Sequence, residues 1–252
     1  MIKSTNEMSW KDVNAIKSFT ENTQENKTAL AKETPKLLFA CVQLFKNFVE
    51  GIKELSAYDA ASILASEANW IQKNTFTEFH GNGKKKVKIK IGTVYYIDYG
   101  KAFSGELAYF HYGLCIGKRE DKILIVPMTS GTDYFSTCYH PTNNPSGNKK
   151  HRQALVSEGF KKDCVLKIND TKFISAGRIN KETVEINADA VKEIQEHVFR
   201  VEFGSIYQEY IQNVDKIQKL EKQIEKQKEI ITNLKEEISQ YKTIDNNKTN
   251  NI

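Results

Sequence analysis

No run of apolar residues in this sequence approaches the ~18 that a membrane-spanning helix needs. The longest apolar stretch, residues 37–48, is broken by Gln43, Lys46 and Asn47. The first twelve residues, MIKSTNEMSWKD, lack the apolar core of a secretory signal. A cytoplasmic protein that contacts no membrane is therefore the expectation. Cysteine is scarce, and Cys41, Cys115, Cys138 and Cys164 form neither a C-x-x-C pair nor a metal-spaced cluster with histidine. His140 stands two residues from Cys138, but two residues do not make a zinc site. Reduced structural thiols, no metal and no cofactor are expected. Aromatic residues are not lacking. Their 13 Phe, 11 Tyr and 2 Trp exclude a wholly disordered chain, and 252 residues leave room for one or two domains with attachments.

Charge is distributed unevenly. Residues 81–180 hold 17 Lys and Arg against 8 Asp and Glu, a surplus of nine, whereas the rest of the chain is mildly acidic. A basic middle between acidic flanks suits a module that binds a polyanion, although a lysine-rich solvated surface gives the same count.

Periodicity separates three regions. Residues 1–80 read as helical. Trp10, Val13, Ile16 and Phe19 recur at spacing three behind Ser9. Thr34-Pro35 supplies a capping hydroxyl and a first-turn proline to a helix whose apolar face is Leu37, Leu38, Cys41, Val42, Phe45, Phe48, Val49 and Ile52. A third helix starts at Ser56, with Asp59 three on, and buries Ala60, Ile63, Leu64, Ala68 and Ile71. This region reads as scaffold or as an oligomer contact.

Residues 81–203 change period. VKIKIG, TVYYIDYG, HYGLCIG, KILIVPM, CVLKI and TKFISAGRI read as short strands, with turn signals at KRED and at Asn169-Asp170. They predict a small antiparallel barrel interrupted by two long loops, residues 101–110 and 131–160. Lys84, Lys85, Lys86, Lys88 and Lys90 would form one solvated strand edge.

Residues 204–244 carry a heptad pattern. Position a holds Ile217, Ile224, Ile231 and Ile238; position d holds Leu220, Gln227, Leu234 and Tyr241. Ile at a with Leu at d favours a parallel two-stranded coiled coil, and one polar Gln227 helps fix its register. The alternative is a solitary amphipathic helix folding back on its own chain. A tail at residues 245–252 is expected to be disordered.

The stretch from Gly92 to Ser130 resembles the core of the PemK/MazF family of toxin endoribonucleases. The matching pieces are Gly92-Thr93-Val94, Asp98-Tyr99-Gly100, Gly105-Glu106, the strand from Gly113 to Gly117, and Pro127-Met128-Thr129-Ser130. Residues 165–178 and a helix from Ala188 suit the family's last strands and closing helix. The resemblance covers roughly 110 residues and neither flank. It implies an α+β chain built on an SH3-like barrel that dimerises, binds single-stranded RNA in a groove and cuts it without metal. It also implies a toxin of a toxin–antitoxin or phage-defence pair, with an antitoxin protein as partner. In the family a loop Glu, an Arg opening the second strand and a Thr ending the third surround the scissile phosphate. Glu106 and Thr129 match the first and third; His111 stands where the family has Arg.

Attack by an RNA 2′-hydroxyl needs a base, an acid for the leaving 5′-oxygen, and donors around the developing phosphorane. Glu106 suits the base and Thr129 or Ser130 a phosphate donor. His111 lacks the fixed fork and permanent charge of Arg but shuttles a proton, so it reads as the acid, its pKa raised by a neighbouring Glu106. His140, His151, Arg152 and Lys167 are candidate phosphate contacts. Tyr95, Tyr99, Phe103, Tyr109 and Phe110 include candidate stacking platforms. The rival reading is a catalytically inactive binding module that recruits RNA or protein, assembled through the coiled coil.

Overall fold

The computed structural model describes residues 16–80, 86–103, 105–130 and 133–249, with side chains as far as Ser239. The chain divides into two units, Met1–Val191 and Lys192–Ile252. The architecture is α+β: helices precede and follow a mixed sheet of eight strands.

In the first unit α1 (Gln24–Thr28), α2 (Pro35–Lys53) and α3 (Ala57–Lys73) come before the sheet. Trp10 and Val13 of the first expected helix lie outside the described residues, and Ser18–Thr20 is a 3-10 turn. Pro35 opens α2 as its spacing predicts, but the Thr34 hydroxyl donates to Leu30 O at 3.3 Å instead of capping the helix. The Ser56 hydroxyl does cap α3, accepting from Asp59 N–H at 3.1 Å. The expected burial of these helices is only partly met. Ile63 is buried, whereas Leu38, Val42, Phe45 and Val49 of α2 and Leu64 and Ile71 of α3 are exposed.

The strands are β1 (Thr93–Asp98), β2 (Phe110–Arg119), β3 (Lys122–Thr129), β4 (Cys138–Tyr139), β5 (Asn148–Ala154), β6 (Cys164–Lys167), β7 (Lys172–Ser175) and β8 (Ile179–Glu185). Their order is β4-β5-β6-β3-β2-β1-β8, and the path does not close on itself. The β4–β5 pair is parallel and the others are antiparallel. One edge of β3 is shared: Lys122–Ile125 pair with β7, and Met128–Thr129 pair with β6. Pro127 sits at that changeover, paired with Gly113 on the β2 side. One buried cluster of the core is made of Tyr95, Ile97, Tyr99, Cys115, Ile123, Ile125, Ile174, Ile179 and Phe79.

Three expectations are corrected. Residues 87–91 form no strand, although their alternation is real: Val87 and Ile89 pack on the core between exposed Lys86, Lys88 and Lys90. Period alone does not supply a ladder partner. The interval 131–160 is not one long loop, because it contains β4 and β5. Its polar side chains disguise a strand whose inner contacts are themselves polar. TKFISAGRI is not one strand either; the 3-10 turn Ala176–Arg178 breaks it into β7 and β8. The KRED turn is as expected, a two-residue link in which Glu120 takes φ +52°.

Asp98, at the end of β1, ties α3 to the sheet. Its buried carboxylate accepts from Ser66 Oγ (2.8 Å), Asn69 Nδ2 (2.8 Å) and Gly100 N–H (2.9 Å).

The second unit is helical, comprising the rest of α4 (Ala188–Glu202) and the 46-residue α5 (Gly204–Thr249). Phe199 packs edge-on against Tyr207 and Tyr210, with ring centroids 5.6 and 6.0 Å apart, and Tyr207 Oη donates to Glu196 at 2.8 Å. The helix continues past Ile244 to Thr249, into the segment expected to be a disordered tail. Its polar, asparagine-containing end extends a helix already nucleated by forty residues, where each further residue adds a bond without a new nucleus. Residues 250–252 lie outside the described residues.

Candidate functional site

Register brings side chains from four strands to one face at one end of the sheet. Gly113 of β2 pairs with Pro127 of β3. His111, two residues before Gly113, and Thr129, two after Pro127, therefore share a face. Thr129 pairs with Val165 of β6, and Lys167, two residues on, pairs with His151 of β5. Alternation places Thr129, Lys167 and His151 together, and all four of these side chains are half-buried. Lys167 is held by Asp170 at 2.5 Å, and the Tyr134 ring packs on His151 at 5.3 Å.

Gly113 makes room beneath this face. A Cβ there would lie 2.3 Å from Tyr99 Oη and 2.4 Å from Ile125 Cγ2. Burial, and then the charge of Asp170, push the Tyr99 phenol far up, so it stays neutral. Lys172 Nζ lies 5.4 Å from the centroid of its ring.

The two imidazoles respond to the same lysine. Burial lowers the His111 pKa and the positive charge of Lys167 lowers it further. This corrects the expectation of a pKa raised by Glu106. Burial and Lys167 also lower His151, with Lys150 adding to the effect and Asp170 opposing it. Both rings are thus biased toward the neutral form, His151 with a carboxylate nearby that favours its protonation.

The other sequence candidates stand elsewhere. Glu106 is exposed in the β1–β2 loop and accepts from Phe103 N–H at 3.3 Å; among the described residues no hydrogen bond or ion pair joins it to His111 or Thr129. Ser130 is exposed just beyond β3. Arg152 is not a surface phosphate contact: it is 1% exposed and forks onto Glu158 at 2.5 and 3.1 Å. His140 is also buried. Its Nδ1 accepts from the backbone of Thr142 (3.3 Å) and Asn143 (3.1 Å), and its Nε2 lies 3.6 Å from Glu158. Burial alone would raise the Glu158 carboxyl, but hydrogen bonds and charge from Arg152 outweigh it and hold the pKa low.

Asp170 and Tyr134 were not singled out from the sequence. Asp170 follows Lys167 by three residues, a spacing that brings the two together across the intervening 3-10 turn. Nothing local marks Tyr134, which meets His151 only through the fold. A separate cleft of about 410 Å³ lies beside Asp98, lined by Trp70, Lys73, Lys101 and Arg178, and none of the sequence-predicted site residues lines it. Among the described residues no three His, Cys, Asp or Glu side chains gather as a metal site, and no helix is long and apolar enough to cross a membrane. No protein-family model and no curated protein matches this chain.

Proposed function

We propose that the protein is a metal-independent endoribonuclease of the PemK/MazF type that cleaves single-stranded RNA, and that it serves as the toxin of a toxin–antitoxin or phage-defence pair. On this reading the sheet is a variant of the SH3-like barrel, and an antitoxin would act by covering the His111 face. The observation that carries the reading is the convergence of His111, His151 and Thr129 around Lys167.

The chemistry is an internal transfer. Neutral His111, the more uniformly depressed imidazole, takes the proton from a ribose 2′-hydroxyl. The 2′-oxygen then bonds to the adjacent phosphorus as the bond to the 5′-oxygen breaks. Protonated His151 supplies the proton that this 5′-oxygen needs, leaving a 2′,3′-cyclic phosphate and a 5′-hydroxyl. A bound phosphate offsets the field of Lys167 and so raises both imidazole pKa values, which lets His151 carry its proton. Lys167 and the Thr129 hydroxyl donate to the non-bridging oxygens, whose charge grows in the transition state. His111 is then the base rather than the acid, and the family's loop carboxylate is not required in that role.

The binding-only alternative has one observation in its favour, the separation of Glu106 from His111 and Thr129. Incubating the purified chain with single-stranded RNA in EDTA separates the two readings. Cyclic-phosphate and 5′-hydroxyl ends support the nuclease. RNA that is bound but uncut supports an RNA-binding module, and RNA neither bound nor cut removes the nuclease and leaves only a module that recruits protein. Binding should also weaken by orders of magnitude between about 50 and 200 mM salt if several phosphates are neutralised.

A further inference from the structure

The geometry points to α5 as one strand of a parallel, in-register two-stranded coiled coil whose other strand is a second copy of this chain. The helix is about 69 Å long at 1.5 Å per residue. Along it Ile217, Leu220, Ile224, Ile231, Leu234 and Ile238 form one stripe, and each is between 48% and 54% exposed. Six large apolar side chains at alternating spacings of three and four are left half in water. A repeat of seven rather than 7.2 residues keeps such a stripe aligned only when helices wrap left-handedly around each other.

The pattern is complementary to itself, and in one orientation. With both copies parallel and in register, Gln227 meets Gln227 of the second copy, and each amide finds a donor and an acceptor. In an antiparallel pair with a facing d, Gln227 would lie against Ile231 of the other copy, its amide unpaired. The flanking charges agree. Position g holds Lys216, Gln223, Ile230 and Glu237; the e positions they reach on a parallel partner hold Glu221, Lys228, Lys235 and Lys242. Two of these four contacts join opposite charges and none joins like charges. The antiparallel pair instead sets Lys228 beside Lys228 of the second copy. Isoleucine at a with leucine at d selects two strands over three. Both chains therefore enter the coil from the same end, so two copies of the first unit are tethered there.

The test uses the full chain with exposed Cys41 replaced by serine. Light scattering should give twice the chain mass, falling to one on dilution, and Ile224→Asp with Ile231→Asp should give one mass throughout while strand circular dichroism is retained. Mild oxidation of Leu220→Cys alone should yield a covalent dimer. A single chain mass at every concentration overturns the proposal. So does an oxidised dimer that appears only when Leu220→Cys and Ile238→Cys chains are mixed, which would mean an antiparallel pair.

Discussion

His151 and Arg152 are adjacent in β5 and face opposite sides of it, and the two sides treat charge in opposite ways. On the inner side Arg152 is sealed against Glu158, with backbone groups and His140 completing the cluster. On the outer side His151 lies beside Lys167, with His111 and Thr129 on the same half-open face. A buried ion pair with its hydrogen bonds satisfied has nothing left to offer a ligand. Lys167 is also paired, with Asp170 at 2.5 Å, yet its charge still reaches both imidazoles, and on the proposed reading it is the group that meets a phosphate. Strand alternation converts one dipeptide into a structural brace and a candidate catalytic group.

Substitution on each side should separate the two roles. The largest effects are expected at the imidazoles: His111→Ala and His151→Ala should each slow RNA cleavage about 10²–10⁴-fold, with little change in the denaturation midpoint. On the other face Arg152→Met should cost about 3–5 kcal/mol of stability, measured in urea, because Glu158 is left buried without its arginine. The double variant with Glu158→Leu should recover much of that loss. No recovery in the double variant would mean the cluster is not an isolated brace.

The stability responses to pH should have the same sign but fall in different windows. His111 binds its proton less tightly when folded than when unfolded, so the unfolded chain holds more protons and stability falls as pH drops below about 6.5. Glu158 is also depressed, so its contribution is present above its ordinary carboxyl range and is lost as pH falls through its folded pKa. Cleavage should be bell-shaped, rising as His111 loses its proton and declining as His151 loses its own. A profile flat from pH 5 to 8 would remove both imidazoles from the chemistry. The smallest rate effect is expected at Thr129→Val, about 10²-fold, the low end for losing one donor to the phosphate.

Much of this was legible in the sequence. The β-branched and aromatic runs mark β1, β2, β3 and β6, and the order of short motifs along them singles out His111 and Thr129. The heptads mark α5 through its isoleucines. What was hidden depends on partners that no local signal names. The β5 strand NKKHRQA looks like loop because two of its three buried residues are Arg152 and Gln153, whose partners Glu158 and the Phe135 carbonyl lie elsewhere in the chain. The same polarity made Arg152 look like a phosphate contact. VKIKIG failed in the opposite sense, having strand periodicity but only scattered backbone bonds, from Val87 to Phe79 and from Gly92 to Cys115, and no continuous ladder among the described residues. The meeting of His151 with His111 needed the β3–β6–β5 register, which sequence spacing cannot supply.

The division of labour between the imidazoles can be measured directly with an RNA whose scissile 5′-oxygen is replaced by sulfur. A thiolate leaves without a proton, so the acid becomes dispensable while the base does not. His151→Ala should cleave this substrate nearly as fast as the parent chain, and His111→Ala should remain slowed by orders of magnitude. Equal loss in both variants, or rescue of His111→Ala instead, would contradict the assignment of His111 as base and His151 as acid.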